Sequence, residues 1–463
     1  MKKQAIEAAI REARLPLPDC RYEVTGEDPF FRSPMNLMTG AGAALVMMGS
    51  AVTNLWQLQT GRSQQISIDG QHAALSLLSA WLLTIDGKSA FTALATQADR
   101  QGVSGAFTCQ DGARIHLQPG FPHHTDAILG VLGCDRADVA RVIGEWPSVR
   151  LETALSEAGA PAVLIRDQAS WAAHEQGMAM RDIPVVEFER LDDCEPVPMG
   201  SGTTPLEGVR VLDLTRVLAG PTCARMLGEF GADVLHVDGP NLPDLRAGQA
   251  DTSHGKRMTY LDLDTTEGQS KLLDLASSAD VFVQSYRTGS LARRGFGPSE
   301  LARHRPGTIY VSVNCYGHHG PWVNRPGYDG NAQAASGIQD IQRQPPEPGV
   351  ALAINDYGTA YWGAYGAMTA LHKRATEGGS WHVRVSLMQS ALWYLRMGTP
   401  HDRRLGLPGD EVLEIARDYM TTESSHYGEL CQLTPALGLS ETPPTWQRGT
   451  PVPGGDRAAW LSG

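Results

Sequence analysis

Gly208-Val-Arg-Val-Leu-Asp-Leu-Thr-Arg-Val-Leu-Ala-Gly-Pro221 runs on through Thr-Cys-Ala-Arg-Met-Leu-Gly-Glu-Phe-Gly231 to Ala-Asp-Val-Leu-His-Val-Asp238. The apolar run from Val209 to Leu214 predicts a strand that ends in the loop Thr215 to Gly220. Pro221 suits a first helical turn, where its missing N–H costs nothing. Cys223 to Phe230 carry helical spacing, and Gly231 marks a stop before a second strand at Asp233 to Val237. The alternation continues with a strand at Met258 to Leu263, a helix at Glu267 to Ser277, a strand at Val281 to Ser285, a helix at Pro298 to His304 and a strand at Thr308 to Asn314. Such a series predicts an α/β fold, a Rossmann-like parallel sheet covered by helices, with ligands at the carboxyl ends of the strands.

Residues before about 205 read differently. A helix-rich stretch from Leu37 to Leu83 precedes a mixed segment from Gly102 to Val186, which predicts a smaller α+β domain. The run Pro196 to Pro205, rich in Pro, Gly, Ser and Thr, reads as a linker. The expected division is a leader at 1–30, a first unit at 31–203, the α/β unit at 204–395, and a connector and tail at 396–463. At 463 residues the chain exceeds what one core usually serves.

Composition narrows the class. Apolar residues make up 42% and charged residues 19%, the balance of a soluble globular protein. The apolar stretches Gly40 to Ala51 and Ala73 to Leu83 are too short for a membrane span, and no secretory signal pattern opens the chain, so a cytoplasmic location and no membrane partner are expected. The net charge of -12 argues against nucleic acid. Seven single cysteines without a C-x-x-C pair predict free thiols and no zinc site. His123-His124 and His318-His319 read as surface or loop pairs with no third ligand, so no metal is expected.

An internal repeat stands out. Gly61-Arg-Ser-Gln-Gln-Ile-Ser-Ile-Asp-Gly-Gln-His-Ala-Ala-Leu75 has the layout of Gly378-Gly-Ser-Trp-His-Val-Arg-Val-Ser-Leu-Met-Gln-Ser-Ala-Leu392, and each follows an apolar helix, Gly40 to Gln57 and Thr359 to Lys373. Helix, glycine turn and strand recur by chance in unrelated chains, but the length of the match in residue type favours duplication. The repeat register sets Thr39 opposite Asp356.

No phosphate loop, nucleophile elbow or dinucleotide fingerprint is present. The basic residues Arg216, Lys256, Arg257, Arg287, Arg293 and Arg294 fall in loops or at strand ends, either as a cationic pocket for phosphates or as a solvated rim. Asp356, in Ile354-Asn355-Asp356-Tyr357-Gly358-Thr359, precedes an apolar helix. It reads first as an N-cap, yet the position also suits a nucleophile beside free helix N–H groups, and the two roles are compatible.

Pro205-Leu-Glu-Gly-Val-Arg-Val-Leu-Asp-Leu-Thr-Arg-Val-Leu-Ala-Gly-Pro221, Gly231 to Asp238, Gly255-Lys-Arg257 and Arg325-Pro-Gly-Tyr-Asp329 resemble the class III CoA-transferases, the CaiB/BaiF family, which includes formyl-CoA transferase and α-methylacyl-CoA racemases. The resemblance runs from 205 to 392. It implies that Asp356 is the catalytic aspartate and that coenzyme A, as acyl-CoA, is bound by Arg216, Val217, Leu218, Ala219, Lys256, Arg257, Ser285, Tyr286 and Arg293, with Ser285 where many members have Asn. Tyr328 and Gly358 are expected in the substrate pocket, with Gly358 and Gly337 allowing close backbone approach. Tyr328 replaces the histidine that shares proton transfer in the racemases, and a phenol with a reference pKa of about 10 is a poor base near neutral pH. The resemblance therefore implies transfer of CoA to a small carboxylic acid through an aspartyl anhydride and then an aspartyl thioester. Racemase or lyase chemistry and an idle CoA-binding protein are the rivals. Family members form interlocked dimers, while here residues 31–203 resemble the family's later half and 205–463 the rest. Two complementary partial copies, as a monomeric pseudo-dimer or a homodimer, are the expected arrangement.

Overall fold

The computed structural model describes residues 3–94, 101–243, 245–342 and 353–461. Among these, the expected α/β alternation forms a seven-stranded sheet. Its order is Arg257–Tyr260, Asp233–Asp238, Arg210–Leu214, Val281–Gln284, Ile309–Asn314, Trp381–Ser386 and Glu187–Arg190. Six strands are parallel, and Glu187–Arg190 closes the edge antiparallel to Trp381–Ser386. The inner strands carry Val, Leu, Ile and Phe side chains that are fully buried, as a sheet covered on both faces requires. Chain order runs outward from Arg210–Leu214 in one direction and then jumps to its other side at Val281–Gln284. The carboxyl ends of these two strands form the switch point where such sheets bind ligands.

Two 24-residue helices, Leu37–Thr60 and Ile354–Glu377, lie against each other in the main core. Both are longer than the repeat predicted. Small residues let other elements pack closely on both helices: a Cβ on Gly40 would lie 2.4 Å from the Tyr394 ring, and one on Gly366 would lie 2.5 Å from Val383. Leu37–Thr60 is long and apolar enough to cross a bilayer, contrary to the expectation from its shorter apolar stretch, but it is buried inside the fold.

Each long helix leads into the same sequence of elements. Gly61 and Gly378 both sit at φ +74°, a region that glycine enters without steric cost. Strands Ile66–Ile68 and Trp381–Ser386 follow, then helices Gly70–Ser76 and Leu387–Arg396, whose N-caps Asp69 and Ser386 accept backbone N–H groups. Ile66–Ile68 pairs in parallel with Tyr22–Val24 and antiparallel with Gly438–Leu439. The arrangement matches Trp381–Ser386 between parallel Ile309–Asn314 and antiparallel Glu187–Arg190.

The segment between the halves has its own core. Strands Gly105–Thr108, Arg114–Leu117 and Ala162–Leu164 pack with helices Pro122–Leu132, Val139–Ile143 and Ser148–Glu157 around Val103, Ile115, Ile128 and Leu151. Arg325 ties this unit to the large sheet by donating to Ala162 O at 2.5 Å, and it lies 3.4 Å from Glu152. Residues 191–209, which include the expected linker, carry no helix or strand. All seven cysteines are free.

Candidate active site

Asp356 stands inside the first turn of Ile354–Glu377, whose N-cap is Ala353. The sequence placed Asp356 ahead of the helix as its cap, but capping falls to Asp329, at the start of the helix Asp329–Ser336. Asp329 Oδ2 accepts the N–H groups of Asn355 at 2.7 Å and Asp356 at 2.9 Å. Its Oδ1 accepts from Asn355 Nδ2 at 3.3 Å and from Gln333 Nε2. An acidic cap stabilises a helix N-terminus, and here it satisfies two of the N–H groups that have no partner within the helix. These two N–H groups are therefore not free for an oxyanion, as the sequence had suggested.

The cap spares the Asp356 side chain. Asp356 is 7% exposed, lines a cavity of about 430 Å³, and accepts no hydrogen bond on its carboxylate from any described residue. Burial pushes Asp329 up to about 6, against the pull of its donors. Burial and then the Asp329 charge push Asp356 well above the usual carboxylate range. Lacking donors, Asp356 keeps its proton to the higher pH of the two.

The cavity lies at the switch point. The loop after Arg210–Leu214 contributes Arg216, Val217 and Ala219, and the segment after Val281–Gln284 contributes Ser285, Tyr286, Arg287 and Arg293. Ser285 Oγ accepts the Arg216 N–H at 2.9 Å, so the serine standing in place of the family's asparagine joins the two loops. The Arg216 guanidinium donates to Pro243 O and lies 4.6 Å from the centre of the Phe121 ring. Val217 has φ +76°, a conformation that costs a β-branched residue on the order of 1–3 kcal/mol and that clusters at functional sites. Burial pushes the Tyr286 phenol up to about 12. Among the described residues no carboxylate pairs with Arg287 or Arg293, whereas Arg294 turns away to Asp264 at 2.7 Å.

Other expected residues lie elsewhere. Leu218 is buried and is not part of the cavity wall. Lys256 is 2% exposed and donates to Asp213 Oδ2 at 2.8 Å and Pro221 O at 2.7 Å. Arg257 grips Asp233 and donates to Ala459 O at 2.6 Å, pinning the chain's tail. Neither cation lines the cavity of Asp356. Gly358 faces Tyr394 and Ser390, away from the cavity, and Gly337, at φ +100°, lets the backbone at Gln168 approach. Tyr328 does line the cavity. Its phenol packs on Gly120, where a Cβ would lie 2.3 Å from the hydroxyl, and comes within 3.5 Å of His124 Nδ1.

The opposite wall comes from the middle unit, through Phe121, His123 and His124 at the start of Pro122–Leu132. The two histidines, read from sequence as surface or loop residues, sit in a helix with ring centres 4.1 Å apart, His123 exposed and His124 buried. Burial and then Arg287 and Arg216 lower the pKa of His123. His318 contacts Val385 O at 3.1 Å and His319 contacts Glu187 at 2.6 Å, which makes both structural. Sequence gave no signal for the contribution of 121–124, because it depends on a unit some two hundred residues from Tyr328 folding over the sheet.

Residues 206–406, a span that includes both Arg216 and Asp356, match the family model described as CoA-transferase family III. The chain is 31% identical over 390 residues to an acetyl-coenzyme A transferase of Hypoxylon pulicicidum, covering 74% of this chain and 65% of that one. It is 32% identical over 217 residues to a formyl-CoA:oxalate CoA-transferase of Rhodopseudomonas palustris, covering 44% and 51%. It is 32% identical over 270 residues to a succinate–glutarate CoA-transferase of Agrobacterium fabrum, covering 51% and 67%. The chain thus spans from about half to two thirds of the length of these relatives. With the motifs in order along the sequence and two thirds of one such relative matched, the chain belongs to CoA-transferase family III.

Proposed function

We propose that the chain transfers coenzyme A from an acyl-CoA donor to a small carboxylic acid, with Asp356 as the nucleophile. The observation that carries this is the Asp356 carboxylate: buried, without donors among the described residues, and on the wall of a cavity also lined by the exposed cations Arg287 and Arg293, which no described carboxylate pairs. An Asp356 oxygen attacks the thioester carbonyl, the C–S bond breaks, and CoA leaves as thiolate, giving a mixed anhydride. The thiolate then attacks the aspartyl carbonyl, the C–O bond breaks, and the donor acid departs, leaving aspartyl-CoA. The acceptor carboxylate attacks that thioester and expels the thiolate again. Attack of the thiolate on the acceptor's acyl carbon yields the new acyl-CoA and restores Asp356. Water would hydrolyse either intermediate, and the wall formed by Phe121, His124 and Tyr328 limits its access.

Coenzyme A is placed along Arg216, Val217, Ala219, Ser285, Tyr286 and Arg293, with Arg287 added from the geometry. Leu218 and Lys256 are assigned to holding the first of those loops, Arg257 to pinning the tail, and Gly358 to packing behind Asp356. Arg293→Gln is expected to raise the KM for acyl-CoA about tenfold with kcat nearly unchanged, the pattern of a lost ground-state contact. An unchanged KM would remove Arg293 from the CoA site. No metal enters this scheme, the net charge of -12 does not suit nucleic acid, and the free cysteines support a cytoplasmic setting.

The same reading covers the architecture. Residues 31–203 and 204–395 are proposed as partial copies of one ancestor, with 396–463 as connector and tail and with 1–30, expected as a leader, supplying Tyr22–Val24 and Asp28 to the first copy. The matching order of helix, glycine, strand and capped helix supports this, as do the two matching strand triplets. So does Asp28, which accepts the N–H groups of Met38 at 3.0 Å and Thr39 at 2.8 Å, as Asp329 does for Asn355 and Asp356. In that first copy Thr39 occupies the nucleophile's position and donates its hydroxyl to Asp28 at 2.6 Å. One working site per chain is the consequence. Light scattering of the purified chain is expected to give the mass of one chain, and a stable dimer would count against the pseudo-dimer.

The deciding experiment is rapid quenching with acetyl-CoA, formyl-CoA or succinyl-CoA, followed by digestion and mass spectrometry of the Asp356 peptide. A CoA or acyl adduct on Asp356 is expected. Its absence with donors that bind, together with deuterium exchange into the acyl group without an acceptor, would point to proton-transfer chemistry instead.

A further inference from the structure

The first turn of Ile354–Glu377 is held on two sides. Asp329 takes its N–H groups, as described above. On the other side, the buried Tyr357 hydroxyl accepts the Ala80 N–H at 2.8 Å and donates to Asp251 Oδ2 at 3.0 Å. Asp251, 1% exposed, also takes the Ser79 hydroxyl at 2.5 Å and lies 3.7 Å from the Arg225 guanidinium. Ser79 and Ala80 belong to the helix Ser79–Leu82 of the first half, and Asp251 to Arg246–Thr252.

Consecutive helical residues are turned about 100° from each other. With Asp356 facing the cavity, Tyr357 is turned toward the first half. Asp329 fixes the helix start through two N–H groups and the Asn355 side chain, all on one side, and the opposite side is fixed by other contacts. A hydroxyl at the tip of a tyrosine, clamped between a backbone N–H and a carboxylate that is itself held by Ser79 and Arg225, is a long lever against rotation about the helix axis. We infer that Tyr357 is a positioning residue that sets the angle at which Asp356 meets the thioester carbonyl, and that the first half contributes to the reaction through it. This rests on the assignment of Asp356 as the nucleophile.

Tyr361 supplies the control. It lies one turn further along the same helix, is 1% exposed, and also reaches the first half, through Ser76 Oγ at 2.5 Å. Loss of its hydroxyl removes a comparable buried contact at a point further from Asp356. The test measures the rate of adduct formation on Asp356 against succinyl-CoA concentration for the wild type, Tyr357→Phe, Tyr361→Phe and Asp251→Asn, with thermal melts of each. Tyr357→Phe is expected to slow the saturated rate about tenfold or more, with the half-saturating concentration within about twofold of wild type, because misorientation affects the reacting geometry rather than binding. Tyr361→Phe is expected within about twofold on both measures. Asp251→Asn keeps an oxygen for the phenol and is expected to retain most of the rate. Equal slowing by both Phe variants, or none, would overturn the positioning role while leaving Asp356 as nucleophile. A wild type that forms no adduct on Asp356 would overturn both.

Discussion

Asp356→Asn is expected to lower CoA transfer by about four orders of magnitude, the scale seen when a covalent nucleophile is removed, while acyl-CoA still binds. The two effects separate because the cations lining the cavity, Arg216, Arg287 and Arg293, belong to different loops from Asp356. The same substitution is expected to stabilise the fold at neutral and alkaline pH. Asp356 has a folded pKa raised by burial and by Asp329, so the folded state binds its proton more tightly than the unfolded chain does. Stability tied to that proton is complete below the unfolded value and is lost as the pH rises through the folded one. An amide has no proton to lose, so the melting temperatures of the variant and wild type should diverge as pH rises, in the variant's favour. The raised pKa also governs rate, because attack requires the ionised carboxylate. The acid limb of kcat/KM is therefore expected well above the 3.8 of an ordinary aspartate. A loss of activity under about tenfold, or an acid limb near the ordinary value, would sink the nucleophile assignment.

Much of this arrangement could be read from the chain, and the parts that could not share a cause. The strands from 210 to 314 were legible because buried parallel strands are continuous apolar runs punctuated by glycine and proline, a local signal. The helix carrying Asp356 was legible in its apolar part only. Its true start at Ile354 depends on the cap from Asp329, twenty-seven residues before Asp356 in the chain, and no local pattern marks a cap supplied from outside. The edge strand Glu187–Arg190 was read as part of a separate unit, since its place beside Trp381–Ser386 is decided by chain closure rather than by its own residues. Phe121, His123 and His124 were missed for the same reason. Charge was the least legible property. Arg287 and Lys256 look alike as basic residues near strand ends, yet one faces the cavity and the other is sealed against Asp213, and only the packing distinguishes them.

That distinction gives Lys256 a large effect of a different kind. Lys256→Met is expected to cost about 3–5 kcal/mol of stability, the usual penalty for stripping one partner from a buried ion pair. Asp213 is fully buried, and its Oδ2 is shared by Lys256 Nζ at 2.8 Å and His236 Nδ1 at 3.0 Å. Burial alone would raise its pKa, but Lys256 and His236 outweigh burial and hold it down at about 2. Methionine fills much of the same volume and cannot neutralise that charge. The damage reaches the site, because Asp213 Oδ1 also accepts the Thr215 N–H at 3.1 Å and the Thr215 hydroxyl at 2.5 Å, anchoring the loop that carries Arg216 and Val217. The folded value of Asp213 lies below its reference of 3.8, so its contribution is complete above pH 3.8 and is lost as the pH falls toward about 2. Urea unfolding at neutral pH measures the cost directly. A second substitution, Asp213→Asn in the Lys256→Met background, should recover much of it, since the amide removes the buried charge while its oxygen can still accept the Thr215 N–H and hydroxyl. If Lys256 instead held a phosphate of CoA, Lys256→Met would leave the urea midpoint where it is and raise the KM for acyl-CoA, and the second substitution would recover nothing.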